Sequence, residues 1–288
     1  MASFSIAAPH SFGSSEVLSM NLSNLEIVLV RPETPRNVGS VARAGRNFGV
    51  ERICVVGAPS ILEDGSAHAT AHGAKDILDG IRFCKDLEEA LAPHVFAVGT
   101  ANRVRKGKLP PLELPHVVVP ELAEASRGGT CALVFGPESR GLTDVELGRC
   151  TRLLRIPTQV DQPSLNLSQA VLLALQECWR SANGWTPSQP PNSIPRETKS
   201  AHPEEPDERA SRRVGGSPSP TADPPTFAEF DLLLGKLEFL MARTGFRPYA
   251  GDPELFRLAA RRSLSRGRFE RRDLRTLLTI AKTLERLV

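Results

Sequence analysis

The stretch from Cys131 to Trp179 constrains the fold more than any other part of the chain. An apolar run, Cys131–Phe135, ends in a glycine-bounded turn, and a second short strand is predicted at Leu153–Ile156. A short helix precedes this second strand, and a helix without charged residues follows it from Ser164. Two strands that alternate with two helices, joined by loops rich in Gly, Pro, Asn and Ser, predict an α/β protein with a ligand site at the carboxyl ends of its strands.

The segment before this block continues the same alternation. Short apolar runs bounded by Pro, Gly and charged residues predict strands at Leu25–Arg31, Arg52–Val56, Arg82–Cys84 and His94–Gly99, and helices at Asn37–Phe48, Ala74–Leu78, Leu87–Leu91 and Val119–Ser126. Strands that alternate with helices in this way favour a mostly parallel sheet covered on both faces.

Composition divides the chain into four segments. Residues 1–23 are expected to be a disordered N-terminal extension. The first twenty carry no Lys or Arg, so they match neither a signal nor a transit peptide. Residues 24–183 form the predicted α/β domain. Residues 184–225 hold ten of the 24 prolines and almost no aliphatic residues, which predicts a disordered linker. Residues 226–288 have the apolar stripes of three helices and open with a capping box, Thr226 and Glu229.

The positive charge is concentrated in the last segment. The chain has 36 Lys and Arg against 33 Asp and Glu, and 13 of the basic residues but only 8 of the acidic ones follow Pro225. This distribution predicts that the small all-α domain contacts nucleic acid through phosphates. The arginines expected to do so lie in and after its second helix: Arg257, Arg261, Arg262, Arg266, Arg268, Arg271, Arg272 and Arg275.

The cysteines and histidines argue against two other classes of protein. Five scattered cysteines without a CxxC or Cys/His cluster favour reduced, buried thiols in a cytoplasmic protein, with neither a disulfide framework nor a metal site. The six histidines show no metal-binding spacing. No apolar run has the length of a membrane span, so no contact with a membrane is expected.

Four polar motifs are more specific than a fold requires: NVGSVAR at Asn37–Arg43, GTANR at Gly99–Arg103, FGPESRGL at Phe135–Leu142 and PSLNLSQA at Pro163–Ala170. Each alone is compatible with an ordinary cap or turn. Ser164 is expected to cap the uncharged helix, which leaves the side chain of Asn166 to face a pocket. None of the four is a phosphate-binding loop or a nucleophile elbow.

Taken together and in this order, NVGSVAR, FGPESRGL and SLNLSQAVLLALQE resemble the three motifs of the SPOUT class of RNA 2′-O-ribose methyltransferases, the TrmH-like superfamily. The match covers roughly residues 25–180. The helical segment after the α/β domain is similar to that of the TrmJ family, which methylates the ribose at position 32 of the tRNA anticodon loop. The resemblance implies a parallel sheet that ends in a deep trefoil knot, a homodimer, and S-adenosylmethionine bound inside the knot.

The resemblance also implies a role for particular residues. Those that match the functional set of the family are Arg43, Asn37, Glu138, Ser164 and Asn166. Those expected to line the cofactor site are Thr100, Ala101, Asn102, Gly136, Ile156, Ser164 and Leu165. The family proposal makes Arg43 the general base, but a guanidinium does not deprotonate in proteins. A clamp on the adjacent phosphate is the alternative, with the phosphate, a water or Glu138 as proton acceptor.

Other functions remain open from the sequence. The methylated nucleotide can be another tRNA position or rRNA, and a relative that binds RNA without catalysis is a further alternative. A dinucleotide-dependent Rossmann enzyme is disfavoured, because its glycine fingerprint and its ribose-binding acid are absent from the sequence.

Overall fold

The structure, a computed structural model, describes residues 19–103, 109–159, 161–184, 223–245, 256–257, 259–260 and 270–286. Seven strands lie in this part of the chain: β1 Leu25–Val30, β2 Arg52–Val56, β3 Arg82–Cys84, β4 Phe96–Thr100, β5 Leu112–Glu113, β6 Cys131–Phe135 and β7 Arg152–Leu154. They form one sheet in the order β3-β2-β1-β6-β4-β7-β5, and every neighbouring pair is parallel. The α/β architecture and the mostly parallel sheet predicted from the sequence are confirmed.

Nine α-helices are described: α1 Pro35–Phe48, α2 Ser66–Thr70, α3 Lys75–Asp79, α4 Leu87–Leu91, α5 Pro115–Gly128, α6 Asp144–Gly148, α7 Leu167–Ala182, α8 Phe227–Thr244 and α9 Arg271–Glu285. The first seven cover the sheet. Their apolar side chains bury the strands on both faces, as a parallel sheet requires.

Strand β1 shows how the two cores arise from one apolar run. Alternate side chains point to opposite faces of a strand, so Ile27 and Leu29 enter one core while Val28 and Val30 enter the other. The first core is closed by α1, α2, α3, α5 and α7, and the second by α4 and α6. All six residues of β1 are buried.

Two sequence predictions about the start of the α/β domain need correction. The sequence predicts a disordered extension up to residue 23, yet Met20 is 4% exposed in the first core, and the main-chain amide of Asn21 donates to Ser126 Oγ at 2.9 Å. Helix α1 begins at Pro35, two residues before the predicted start. Proline fits there because the first turn of a helix needs no amide donor.

The prediction that the five cysteines are buried is confirmed. Burial raises the pKa of Cys131 and of Cys178 to about 12, so these thiols are protonated at neutral pH. In the described part of the chain, no helix is both long enough and apolar enough to cross a membrane, and no group of three or more His, Cys, Asp and Glu is placed to hold a metal ion.

The C-terminal helices α8 and α9 pack on each other through their own small core, which includes Phe230, Leu233 and Leu274. The predicted capping box at the start of α8 is present, with Thr226 Oγ1 accepting from the Glu229 amide and the Glu229 side chain accepting in return. Phe227 departs from this small core: it is 6% exposed and belongs to the second core of the α/β domain. Most of the linker and most of the predicted middle helix lie outside the described residues.

Candidate active site

A cavity of about 530 Å³ opens at the carboxyl ends of β4, β6 and β7. These strands are neighbours in the sheet, so the loops that follow them converge, as parallel sheets require. Its described lining includes all seven residues predicted to contact the cofactor: Thr100, Ala101, Asn102, Gly136, Ile156, Ser164 and Leu165. Their role in binding stays a prediction, while their position at one cavity is a property of the fold.

Glycine is required at one position in this lining. A Cβ atom on Gly136 would lie 2.3 Å from the carbonyl carbon of Gly141 and 2.3 Å from the amide nitrogen of Leu142. The Phe135–Leu142 loop therefore folds back on itself so tightly that only a residue without a side chain fits. Gly141 closes the turn with φ +69°, a conformation that favours glycine. The loop keeps this shape and forms one wall of the cavity.

Three of the predicted catalytic residues form a hydrogen-bonded chain beside the cavity. Asn37 Nδ2 donates to Glu138 Oε1 at 2.7 Å, and Asn166 Nδ2 donates to Asn37 Oδ1 at 3.1 Å. Residues from α1, from the loop after β6 and from the start of α7 are thus joined across more than a hundred positions of sequence. Asn37 is 9% exposed, so its amide group is held by these partners away from most solvent.

Glu138 also accepts main-chain donors. The amide of Glu33 donates to Oε2 at 2.8 Å, and the amide of Thr34 donates to Oε1 at 3.2 Å. Partial burial raises the pKa of the Glu138 carboxyl, but these bonds and the bond from Asn37 outweigh burial, so its pKa lies below the ordinary value. A carboxylate with a lowered pKa and three donors is a poor proton acceptor. The geometry therefore disfavours Glu138 as the base that the sequence left open.

The residue that the sequence missed at this site is Glu33. Its carboxylate accepts from the amide of Ser139 at 3.2 Å and from Ser139 Oγ at 2.5 Å. Because Glu138 in turn accepts from the amide of Glu33, the loop before α1 and the loop after β6 hold each other through reciprocal bonds. In the sequence, Glu33 is a carboxylate just before the start of a helix. That position alone indicates only a favourable interaction with the helix dipole and does not predict a contact with Ser139.

Asn166 has the capping role that the sequence predicts for Ser164. Helix α7 begins at Leu167 rather than near Ser164, and Asn166 is its N-cap, with Oδ1 accepting from the Ser168 amide at 2.9 Å. The expectation that Ser164 would cap the helix is wrong. Ser164 instead lines the cavity. The Asn166 oxygen is used for the cap and its amide nitrogen for Asn37, so one side chain fixes both the helix start and the hydrogen-bonded chain.

Arg43 lies apart from this group. It is exposed on α1, it is not among the described residues that line the cavity, and it makes no ion pair within the described part of the chain. The fold thus brings together Asn37, Glu138 and Asn166, places Ser164 in the cavity wall, and leaves Arg43 facing solvent.

Four of the eight arginines predicted to bind RNA are described, and three of these four form ion pairs. Arg257 pairs with Glu238, Arg271 with Asp223 and Glu229, and Arg272 with Glu270. Part of the positive charge counted in the sequence is therefore neutralised within the helical unit. Arg275 is exposed and makes no ion pair with the described residues. The remaining predicted positions lie outside the described residues: Arg261, Arg262, Arg266 and Arg268.

Comparison with known proteins places these features among RNA methylases. Residues 24–176 match the model of the SpoU rRNA Methylase family. The chain is 38% identical over 166 residues to the tRNA (cytidine/uridine/adenosine-2′-O-)-methyltransferase TrmJ of Pseudomonas aeruginosa, a match that covers 57% of this chain and 64% of the relative. It is 35% identical to the tRNA (cytidine-2′-O-)-methyltransferase TrmJ of Methanocaldococcus jannaschii, over 54% of this chain and 67% of the relative.

The matched region thus spans about two thirds of the length of these curated relatives. Among solved structures, the crystal structure of TrmJ from Z. mobilis ZM4 superimposes with a TM-score of 0.68 at 23% identity. That likeness covers 90% of this chain and 98% of the other, and it concerns the fold.

Proposed function

The chain belongs to the SpoU rRNA Methylase family, and from that premise we propose that it is an S-adenosylmethionine-dependent methyltransferase that modifies the ribose 2′-hydroxyl of a tRNA nucleotide. The observation that carries the proposal is the convergence of the three motifs of the resemblance on one end of the sheet. There the seven expected cofactor residues line one cavity, and Asn37, Glu138 and Asn166 form a chain beside it. Relatives named as tRNA 2′-O-methyltransferases support tRNA as the substrate.

The finer assignment is position 32 of the anticodon loop, with cytidine or uridine as the base. It rests on the similarity to the TrmJ family, and the protein is expected to act in the cytoplasm. The second candidate is methylation of another tRNA position or of rRNA. The name of the family refers to rRNA and so favours the latter of these two substrates. Both candidates use the same cavity, so the choice between them depends on the RNA that the protein selects.

The cavity fits the proposed cofactor in size and character. Its volume of about 530 Å³ lies within the usual range for small-molecule sites, and its wall combines apolar side chains such as Leu142, Leu154 and Ile156 with polar loops. When bound, S-adenosylmethionine supplies an electrophilic methyl group on a sulfonium sulfur. The protein then has to orient the ribose hydroxyl, exclude water and stabilise the negative charge that develops on its oxygen.

We assign that electrostatic role to Arg43. Its guanidinium stays charged, so it serves as a bidentate clamp on the phosphate next to the target ribose rather than as a base. Glu138, Asn37 and Asn166 act as positioning residues, because their polar groups are already bonded to one another. The proton then passes to the phosphate or to water.

A trefoil knot is the proposed topology of this end of the sheet. Strand β4 lies between the parallel strands β6 and β7, so the chain that leaves β6 must pass over β4 through α6 before it enters β7. The segment after β7 then returns to the loop that follows β6, since Phe135–Leu142 and Ile156 line the same cavity. This crossover and the return of the chain to the loop after β6 support threading, although knots are rare in proteins.

A homodimer is the proposed assembly, and α7 supports it. The buried side of α7 carries Leu167, Val171 and Leu175, whereas Gln169, Leu172, Leu173 and Gln176 are exposed along the other side. Leu172 is 39% and Leu173 is 37% exposed. An exposed stripe without charges is typical of a helix that packs against a partner subunit. Such an interface would place α1, with Arg43, close to the second subunit, because α1 packs on α7.

The test is transfer of labelled methyl from S-adenosylmethionine to total tRNA, with the modified nucleoside mapped by mass spectrometry. A 2′-O-methyl mark at position 32 is expected. The Arg43→Ala variant should lose about 100-fold or more of the turnover, the usual effect of removing one charge-stabilising group, while its affinity for the cofactor stays near that of the wild type. Methylation only of rRNA would replace tRNA as the substrate, and absence of cofactor binding would overturn the proposal.

A further inference from the structure

The described wall of the cavity carries three charged side chains: Glu138, Arg103 and Arg140. The carboxylate of Glu138 is engaged by Asn37 and by two main-chain amides, so its charge is directed into the protein. The two guanidinium groups have no such partners. Neither forms an ion pair within the described part of the chain, and both residues are exposed. The wall therefore offers two positive charges and no unengaged carboxylate.

Several arginines elsewhere in the α/β domain differ from this pair because they bond to carboxylates. Arg31 is bonded to Glu146, Arg82 to Glu26 and Arg149 to Glu88. These arginines hold parts of the structure together through carboxylates. Arg103 and Arg140 perform no comparable structural task among the described residues, so their ten N–H donors are available to a ligand.

The fold places the two arginines on the same edge of the sheet. Arg103 follows β4, Arg140 follows β6, and β4 and β6 are neighbouring parallel strands. The two side chains therefore flank the cavity from adjacent strand ends. Two positive charges on one wall of a cavity favour an anion as ligand, and a guanidinium fork matches the oxygens of a phosphate.

We propose that Arg103 and Arg140 form a phosphate-binding subsite at the rim of the cavity, which grips the RNA backbone beside the nucleotide to be methylated. The proposal rests on the function proposed above. It adds a phosphate contact of the α/β domain to the one assigned above to Arg43, whereas the set of RNA-binding arginines predicted from charge lies only in the helical domain. Phosphate is favoured over the carboxylate of the cofactor, because both arginines are exposed at the rim and every ribose in the substrate has a phosphate on each side.

The test measures tRNA affinity by fluorescence anisotropy over a series of KCl concentrations, using the full chain. The variants are Arg103→Gln, Arg140→Gln and the double variant. The matched control is Arg127→Gln, which removes an exposed arginine from the last turn of α5, at the far end of that helix from the cavity edge. The plot of log K against log[salt] has a negative slope, and each lost phosphate contact should make it shallower by about 0.7–0.9. The double variant should reduce the steepness by about twice that amount.

Cofactor affinity, measured by calorimetry on the same proteins, should be unchanged in all variants, and the control should keep the slope of the wild type. The Arg140→Lys variant retains a charge without the fork, so it should keep most of the slope but methylate with a higher KM for tRNA. A double variant whose slope equals that of the wild type would overturn the subsite.

A double variant that loses affinity for S-adenosylmethionine but keeps the slope would also overturn it, by assigning the arginines to the carboxylate of the cofactor. The failure of the proposed function has a different signature, because the wild type itself would then transfer no methyl group to tRNA.

Discussion

The carboxylate of Glu138 receives donors from one side chain and from two main-chain amides of the loop before α1. Each bond uses an oxygen lone pair that a general base would need for its proton. The reciprocal bonds from Ser139 to Glu33 complete the contact between the two loops. At the scale of single residues, this carboxylate fixes the position of one wall of the cavity. The proton of the ribose hydroxyl is therefore accepted by another group, the phosphate or water.

Replacement of Glu138 by Gln tests this positioning role. One oxygen can still accept from Asn37, but the new NH₂ group faces the amide of Glu33, so an amide donor loses its acceptor. Unfolding in denaturant at neutral pH should show a loss of about 1–3 kcal/mol, the usual cost of an unsatisfied donor. The Glu63→Gln variant, at an exposed position, is the control and should match the wild type.

The pH dependence of that loss has a defined sign. The folded-state pKa of Glu138 is lowered, so its ionised form stabilises the fold at pH values above the ordinary pKa of a glutamate, and this contribution is lost as the pH falls through the folded-state value. The stabilities of the wild type and of Glu138→Gln should therefore converge in acid. A difference that stays constant with pH would contradict the assignment of an ionised carboxylate.

Helix α7 combines three tasks in one element. Its N-cap, Asn166, bonds to Asn37, its buried side closes the first core, and its other side exposes Leu172 and Leu173. The absence of charged residues from Ser164 to Gln176 follows from these tasks, because a charge would be placed either in the core or in the proposed dimer interface.

Substitution of Leu173 by Glu tests the element-scale proposal. A charge in the middle of an apolar interface is not compensated, so sedimentation equilibrium should detect monomers where the wild type is a dimer. Val145→Glu introduces the same charge at an exposed apolar residue of α6, which is 59% exposed, and should leave the dimer intact. A wild type that sediments as a monomer would remove the homodimer from the proposal.

On the scale of the whole molecule, the start of the helical unit contacts the end of the sheet opposite to the cavity. The amide of Phe227 donates to the carbonyl of His94 at 2.9 Å, and the amide of Ala228 donates to that of Ala92 at 3.1 Å. These carbonyls precede β4, whereas the cavity follows it. A five-residue strand spans about 16 Å, so an RNA that contacts both must extend along the domain.

Removal of residues 226–288 should therefore weaken binding of tRNA much more than binding of the cofactor. The reason is that phosphate contacts by the basic helices are lost while the distant cavity is retained. Anisotropy with labelled tRNA and calorimetry with S-adenosylmethionine measure the two affinities. Because the deletion also uncovers the buried site of Phe227, the full-length Arg275→Gln variant serves as a second probe and should weaken tRNA binding in the same direction. Equal tRNA affinities of the full and truncated chains would exclude the helical unit as an RNA-binding domain.

The sequence by itself determined most of the strands and helices of the α/β domain, and it predicted seven residues that line one cavity. Apolar runs such as Cys131–Phe135 and Arg52–Val56 gave strands with the predicted bounds, because burial of a short β-rich run between breaker residues leaves few alternatives. The capping box at Thr226 formed as predicted, since both partners lie within one turn of the helix.

Only the tertiary structure decided which side chains meet. The bonds between Glu138 and Glu33, and between Asn37 and Asn166, join positions more than a hundred residues apart, and no local pattern encodes such a distance. The same limit explains the wrong cap of α7. Ser164 and Asn166 are both good N-caps by local preference, and the contact of Asn166 with Asn37 favours one of them. The strand order β6-β4-β7, which forms the cavity, likewise depends on packing of the whole sheet and not on any single segment.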